Sequence, residues 1–363
     1  MGLGIIIQVN GTADKQLAEA NRVEVTERFG DTTYFSISYP EDISDGDMPL
    51  LKDSRLDPGS VLTILAGKDN DLDCLVKGPV YSQQIHLEHG GEGSTVEIMG
   101  ADTSITMDRE IQSAVWTDVT DSDVVSSIVG DYGLDDDVAS TDTKHVEDKH
   151  SLVQRESDLQ FVKRLARRNG CYFWISCDAD GNENAHFQKP TLDGDPSFDL
   201  VINFDQPTIQ TLDIHWDVER PTSVEGVQVD LSNKENLDGA LAVTPQTILG
   251  AHKLEDIASE TRSMHVSAPS DDAGDMQARS GGALTEADWF IQATCTTTFR
   301  LLGRLVHAGM LLNVKGAGSR HSGKYFVTSV KHSIDAADHK MEIGMVRNGW
   351  GSDSTGGSVA GMF

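Results

Sequence analysis

The chain has 363 residues, enough for two or three domains with cores of their own, and 38% of them are hydrophobic, which lies above the disordered range. The 58 acidic residues against 29 basic ones leave a net charge of −29, a field that repels nucleic acid and anionic membranes and excludes both as partners. No apolar run approaches the roughly 20 residues that span a bilayer. The opening MGLGIIIQVNG lacks a basic n-region and a small-residue cleavage site, so it reads as a first strand of a protein made and folded in a cytoplasm.

Residues 3–40 alternate as strands, GIIIQV, RVEVTERF and TTYFSISYP, separated by polar turns. Beyond Pro40 and its acidic run, Pro58-Gly59 turns into a strand carrying Val61, Leu62 and Ile64. LVKGPVYSQQIHL and STVEIMGAD follow, so residues 1–115 read as antiparallel β, with a closed or nearly closed barrel preferred.

At Asp121 the period changes. DSDVVSSIVGDYGL puts Val124, Val125, Ile128 and Val129 on one helical face. A second helix is marked at both ends: Ser157 as N-cap, Asp158 in the first turn, Gln160 placed for a capping box, and Gly170 to end it. CYFWISC then leaves as a strand, turns around Asp180-Gly181 and returns through AHFQKP, making 116–206 a small α+β module.

Residues 207–232 read as two strands. HKLEDIASETRSM predicts a helix with Leu254, Ile257 and Ala258 inward, and SAPSDDAGDMQARSGG a mobile excursion, so 233–288 is an inserted helical and loop segment. Residues 289–350 are β again, and 351–363 form a flexible tail.

The two ends repeat one another. PGSVLTI, GPVYSQQIHL and STVEIMG near the front match AGMLLNV, GKYFVTSVKHSI and HKMEIGM near the back. Three matched strands in one order predict a single barrel design present twice, the second copy being 207–232 with 289–350.

A search for chemistry returns no site. His86 and His89 fall on opposite faces at a strand end, His145 and His150 in an acidic loop, and His321 alone in a turn, with no zinc-type motif. Asp69, Asp71 and Asp73 open like a calcium loop, but Cys74 and Val80 stand where that loop needs Gly and Glu. There is no GxSxG, P-loop or dinucleotide fingerprint, and GAGSRHSG joins two strands as a turn. No catalytic residue, metal or cofactor is expected. Cys74, Cys171, Cys177 and Cys295 form no CxxC and are expected as buried thiols. Asp outnumbers Glu about two to one; the acidic surplus reads either as a solvated surface suited to a salty medium or as an acidic lumen or docking face.

The order of residues around the second helix says more than its periodicity. Gln154, Glu156, Ser157, Asp158, Phe161, Arg164, Leu165, Gly170 and Tyr172 resemble the signature of the contractile-tail baseplate hub family. That family covers phage late control protein D, the hub half of the type VI secretion VgrG proteins, and hubs of extracellular contractile injection systems. The resemblance implies two tandem tube-like β-barrels plus the small module, three chains forming a pseudo-sixfold ring, and a non-enzymatic adaptor between a sixfold inner tube and a threefold spike. It implies a homotrimer with tube, spike and other baseplate proteins as partners, inside a phage-like particle. Gln154, Glu156, Ser157, Asp158, Phe161, Arg164, Gly170 and Tyr172 would be structural, with Glu156, Asp158 and Arg164 as a polar anchor at a domain or subunit contact. Because the VgrG proteins continue into a spike and this sequence does not, the spike is expected as a separate protein. Two other classes compete. A tail-borne cell-wall glycan hydrolase would depend on a specific carboxylate pair, and a carbohydrate-binding barrel would expose aromatics, which are only 6% here and cluster in strands.

Overall fold

The structure is a computed structural model that describes residues 4–40, 49–52, 54–68, 71–89, 93–147, 151–229, 236–238, 240–241, 244–266 and 273–351. The chain is mainly β with few helices. In β1 (Ile5–Val9), β2 (Arg22–Arg28) and β3 (Tyr34–Pro40), alternation turns Ile5, Ile7, Val23, Val25, Phe35 and Ile37 to one buried face. β4 (Val61–Lys68) is buried from Leu62 to Ala66 and pairs with β1 on one side and β5 (Asp71–His86) on the other. β6 (Thr95–Ala101) closes this set against β5 and β3.

The middle module has a core of its own. α1 (Asp121–Asp131) starts at a reciprocal Thr120–Asp123 capping box and buries Val124, Val125, Ile128 and Val129. These pack with Phe161, Val162 and Leu165 of α2 (Asp158–Arg168) and with Phe173 and Phe187 of the hairpin β7 (Tyr172–Cys177) and β8 (Glu183–Gln188). Ser157 caps α2 by accepting the Gln160 backbone N–H at 3.3 Å. The Gln160 side chain does not complete the expected box; its amide donates to Asp108 at 3.1 Å.

The thiol expectation holds for Cys171 and Cys295, both buried and free, and fails for Cys74 and Cys177, which form a disulfide with Cα atoms 5.6 Å apart. The spacing of Cys171 and Cys177 could exclude only a local bridge; Cys74 reaches Cys177 across 103 residues because β5 packs against the β7 hairpin. Burial pushes the Cys171 thiol up to about 11 and that of Cys295 up to about 12, so neither is a ready nucleophile.

The remaining strands are β9 (Asp199–Val201), β10 (Thr211–Trp216) and β11 (Ser223–Val229), then, beyond α3 (Ala273–Ala287), β12 (Ile291–Thr298), β13 (Leu311–Lys315), β14 (Gly323–Asp335) and β15 (His339–Arg347). Two expectations for the insert are corrected. The helix predicted over HKLEDIASETRSM is a single turn, Leu254–Ile257, after which Ser263–Val266 pairs in parallel with β11. After Ala258 the polar run 259–262 offers no apolar residue at helical spacing, so strand pairing wins. Most of the predicted mobile excursion is instead the helix α3, with Met276 and Leu284 buried; residues 267–272 lie outside the described residues, as does the tail from 352. In α3, Gly282 serves close packing rather than mobility. A Cβ at Gly282 would sit 2.9 Å from the Arg167 carbonyl oxygen and 3.0 Å from the Gly170 nitrogen, so only glycine lets α3 approach the end of α2 this closely.

β1–β6, β9, β10 and β12–β15 belong, with the two-residue strand Thr12–Ala13, to one thirteen-stranded sheet whose path runs β10-β12-β15-β14-β2-β3-β6-β5-β4-β1 and ends on Thr12–Ala13, with β13 and β9 branching from β14. The repeat is visible in its hydrogen bonds. Each long strand, β5 and β14, pairs first with a short neighbour, β4 or β13, and then with β6 or β15. The second pairing carries a one-residue bulge at the same place in both: Val80 opposite Gly100 but Ser82 opposite Met99, and Val327 opposite Met345 but Ser329 opposite Gly344. Gly59 and Gly309, at φ +90° and +91°, both donate to the strand just before its bulge, at Val80 O and Val327 O, each at 2.8 Å. The halves differ at their entry strands, since β1 runs antiparallel to β4 and β9 parallel to β13. One apolar core, from Ile7 and Val23 to Val330 and Ile343, fills both. Among the described residues, no helix is long and apolar enough to cross a membrane.

Replacing Cys74 and Cys177 together by Ser is expected to lower the free energy of unfolding by about 2–5 kcal/mol, since the bridge closes a long loop. Denaturant titration checks this, and reductant should shift the wild type equally; an unmoved midpoint in both would contradict the bridge.

Candidate functional site

Three places in the fold gather unusual side chains. The first is the seam where β14 pairs with β2, Ser329–Asp335 lying against Arg28–Arg22. Along β2 the inward phase that places Val23 and Val25 in the core places Glu27 there too, 7% exposed. Its carboxylate lies 3.1 Å from His307 Nδ1 and 3.2 Å from His332 Nε2, and it accepts the Ala308 N–H at 3.1 Å. His332 Nδ1 is 2.9 Å from His339 Nε2, and the second nitrogen of His307 faces Asp73 at 3.9 Å. Burial alone would raise Glu27, but the charge and hydrogen bond of His307, then those of His332, hold it down at about 2. Burial likewise opposes the charge on His307, yet Glu27 and Asp73 raise it to about 10. His339 is pushed down to about 3 by burial and by its two histidine neighbours, so it stays neutral. A neighbouring cavity of about 310 Å³ is lined by Asp102, Glu183 and the disulfide among others. Its carboxylates are engaged in structure: Glu183 with Lys77 at 3.2 Å, and Asp102 accepting the N–H groups of Thr33 at 2.6 Å and Ser104 at 2.9 Å. Among the described residues, no group of three or more His, Cys, Asp and Glu side chains could hold a metal ion. This seam is built to hold, and its one sequence signal was a Glu in the apolar phase of a strand.

The second place is the start of α2, where six of the signature residues form one network. Gln154 is buried, accepts the Trp116 indole N–H at 3.3 Å and donates to Asp158 at 2.6 Å. Asp158 also accepts the Tyr132 hydroxyl at 2.9 Å. Ser157 donates its hydroxyl to Asp108. Arg164 donates to Glu156 at 2.6 Å and to the Val153 carbonyl at 2.9 Å, and lies over the buried Phe161 ring at 4.9 Å. Gly170 and Tyr172 stand apart at the far end of α2. Gly170 meets Gly282, and the Tyr172 ring lies 4.9 Å from Phe29 of the first half. Beside the network, Ile111, Val115 and Val153 are 80%, 64% and 38% exposed, an apolar strip on the module's outer side. Sequence reading missed a second knot: Arg168 is buried and donates to Asp275 of α3 at 2.9 Å, with Asp121 of α1 at 3.4 Å. His145, expected in an acidic loop, is fully buried and bonded to Asp121 at 2.8 Å.

The third place is a pair of open ladder edges. Among the described residues, β10 pairs only with β12, and the second half of β5, Ser82–His86, only with β6. Ile85 and Trp216, 43% and 47% exposed, lie on these strands, and Leu87, 55% exposed, directly follows β5.

A model of the family described as the Alg8 N-terminal domain matches residues 3–336. No curated protein matches the chain. Among solved structures, a tail protein from Neisseria meningitidis MC58 is similar at 14% identity and TM-score 0.66, over 95% of this chain and 96% of that one. A 43 kDa tail protein of prophage MuSo2 from Shewanella oneidensis is similar at 13% identity and TM-score 0.65, over 95% and 98%. An E. coli component of the type VI secretion system, itself described as similar in structure to the T4 bacteriophage tail proteins gp27 and gp5, is similar at 12% identity and TM-score 0.57, over 94% and 76%. At these identities the likeness is one of fold, shared with these phage-tail and type VI secretion proteins.

The seam has a pH window. Glu27 adds stability above its ordinary 4.5, which is lost as pH falls toward 2; His307 adds stability below its ordinary 6.5, which is lost as pH rises toward 10. His339, held down at about 3, withdraws stability as pH falls below its ordinary 6.5, so resistance to denaturant is expected to be highest near pH 6.5. His307→Gln should flatten the alkaline decline, and Glu27→Gln should cost about 3 kcal/mol at pH 6. An alkaline limb as steep in His307→Gln as in the wild type would contradict the assignment.

Proposed function

The chain belongs to the Alg8 N-terminal domain family, and we propose that it is the hub of a phage-tail-like contractile particle, a structural protein rather than an enzyme. In this reading residues 1–115 form one tube-like barrel, 207–232 with 289–350 form the second, and 116–206 form the module that braces them. Three chains make a ring that is sixfold in its strands and threefold in its sequence, and so joins a sixfold inner tube to a threefold spike protein.

The observation that carries this reading is the repeat itself. Two halves of one chain share strand order, bulge position and the glycine-donated bond before the bulge, within a fold of tail-protein type that extends over 95% of the chain. One protein with two equivalent halves satisfies two symmetries at once when it trimerises. The network of Gln154, Glu156, Ser157, Asp158, Phe161 and Arg164 then acts as a rigid polar anchor, with Gly170 and Tyr172 seating the module against its neighbours. The exposed strip of Ile111, Val115 and Val153 is the face offered to another baseplate protein. Assembly places the protein in a particle, with no cofactor in its role.

Light scattering across salt concentrations tests the assembly. The expected mass is three times the 39.4 kDa monomer, with the trimer strengthened as salt screens the −29 charge on each chain. A chain that stays monomeric and also fails to bind a co-expressed tube protein would overturn the hub.

A further inference from the structure

The seam inside one chain contains the instructions for the seam between two. β14 and β5 are equivalent strands, since their bulges at Thr328 and Tyr81 coincide when 247 is taken from the numbers of β14. β2 and β10 are equivalent as well. β2 pairs with β3 as β10 pairs with β12, and Val23 opposite Ile37 answers Leu212 opposite Cys295. Ile37 in turn faces Ile98 of β6, as Cys295 faces Ile343 of β15. Within the chain β14 and β2 are joined, whereas their counterparts β5 and β10 both present open edges among the described residues. Those edges lie at opposite ends of the ribbon β10-β12-β15-β14-β2-β3-β6-β5 and are not paired with one another within this copy.

We infer that the open edge of β5 pairs antiparallel with β10 of a second copy of this chain, in the register that β14 uses on β2. The inference rests on the hub reading and names the contact through which its subunits join. Carrying the register across places Ile85 opposite Ile214, Leu87 opposite Leu212, and His86 opposite Asp213. The template for these pairs is His332 opposite Val25, Ile334 opposite Val23, and Ser333 opposite Glu24. In the template Val23, Val25 and Ile334 are fully buried and Ser333 donates to Glu24 at 3.3 Å. In the open copy Ile85 and Leu87 are 43% and 55% exposed, while Leu212 and Ile214 are only partly buried.

Charge selects the same register. In a chain with a net charge of −29, it sets the imidazole of His86, a hydrogen-bonding side chain with no carboxylate, against Asp213 and Glu88 against the neutral Thr211. A two-residue slip in one direction would face Glu88 with Asp213, and a one-residue slip would turn Ile85 to Asp213 or His215. The contact is head-to-tail, so it propagates around an axis, and three ribbons joined in this way close into a ring with no edge left over.

Paired cysteines test the register. In the double variant His86→Cys with Asp213→Cys, oxidation of the full-length protein is expected to give a covalent trimer on non-reducing gels. His86→Cys with Thr211→Cys, two positions out of register, should stay uncrosslinked, because a diagonal pair lies beyond disulfide reach. A second variant, Ile85→Asp with Leu87→Asp, changes exposed residues and so leaves the monomer folded; it is expected to raise the concentration for half-assembly at least tenfold. If the wild type is a trimer but the in-register pair stays open, or the offset pair closes in its place, this pairing is overturned while the hub stands. If the chain remains a monomer alone and with a tube protein, both fall together.

Discussion

The pairing of β14 with β2 is the contact on which the rest of the structure depends. Among the described residues it is the one place where two similar sets of strands become a continuous sheet over a common core. Backbone ladder bonds alone would let such a seam slip by two residues without exposing an apolar face. Glu27 prevents this, because a buried carboxylate has one position where His307, His332 and the Ala308 N–H all reach it. Elsewhere in the chain, buried charge serves the same purpose. Arg168 ties three helices of different segments through Asp121 and Asp275. In both cases apolar packing provides stability and a polar group fixes the relative position.

Much of the architecture was legible because it is local. The alternation in β2 and β3, the phase of Val124 to Val129, and the two ends of α2 are written within a dozen residues each. The three-strand repeat was legible too, since a bulge with its preceding glycine leaves the same short pattern twice. What could not be read depends on distant partners. α3 looked like a mobile loop because two glycines and a polar run hide its periodicity, and only the approach of Gly170 explains Gly282. The Cys74–Cys177 bridge needed the packing of β5 on the β7 hairpin, which no spacing rule contains. His307, His332 and His339 are scattered polar letters in sequence and become one cluster only when β14 meets β2.

The signature around α2 shows how a strong sequence pattern can serve a local purpose. Gln154, Asp158, Tyr132 and Trp116 satisfy one another, and Arg164 covers Phe161 while bonded to Glu156. Such a network gives the helix start one geometry. The contact with the sheet is made instead by Tyr172 against Phe29, by the Lys163–Asp31 ion pair and by the disulfide. The residues that identify the module and those that attach it are therefore largely different sets, with Tyr172 common to both.

The bridge from Cys177 to Cys74 also determines how load travels. Cys74 lies on β5, and the same strand runs on to the open edge at Ser82–His86. A pull on the hairpin therefore reaches the sheet through a covalent bond as well as through the aromatic and ionic contacts around Phe29 and Asp31, and the bond keeps the module tethered to that strand even when those contacts open.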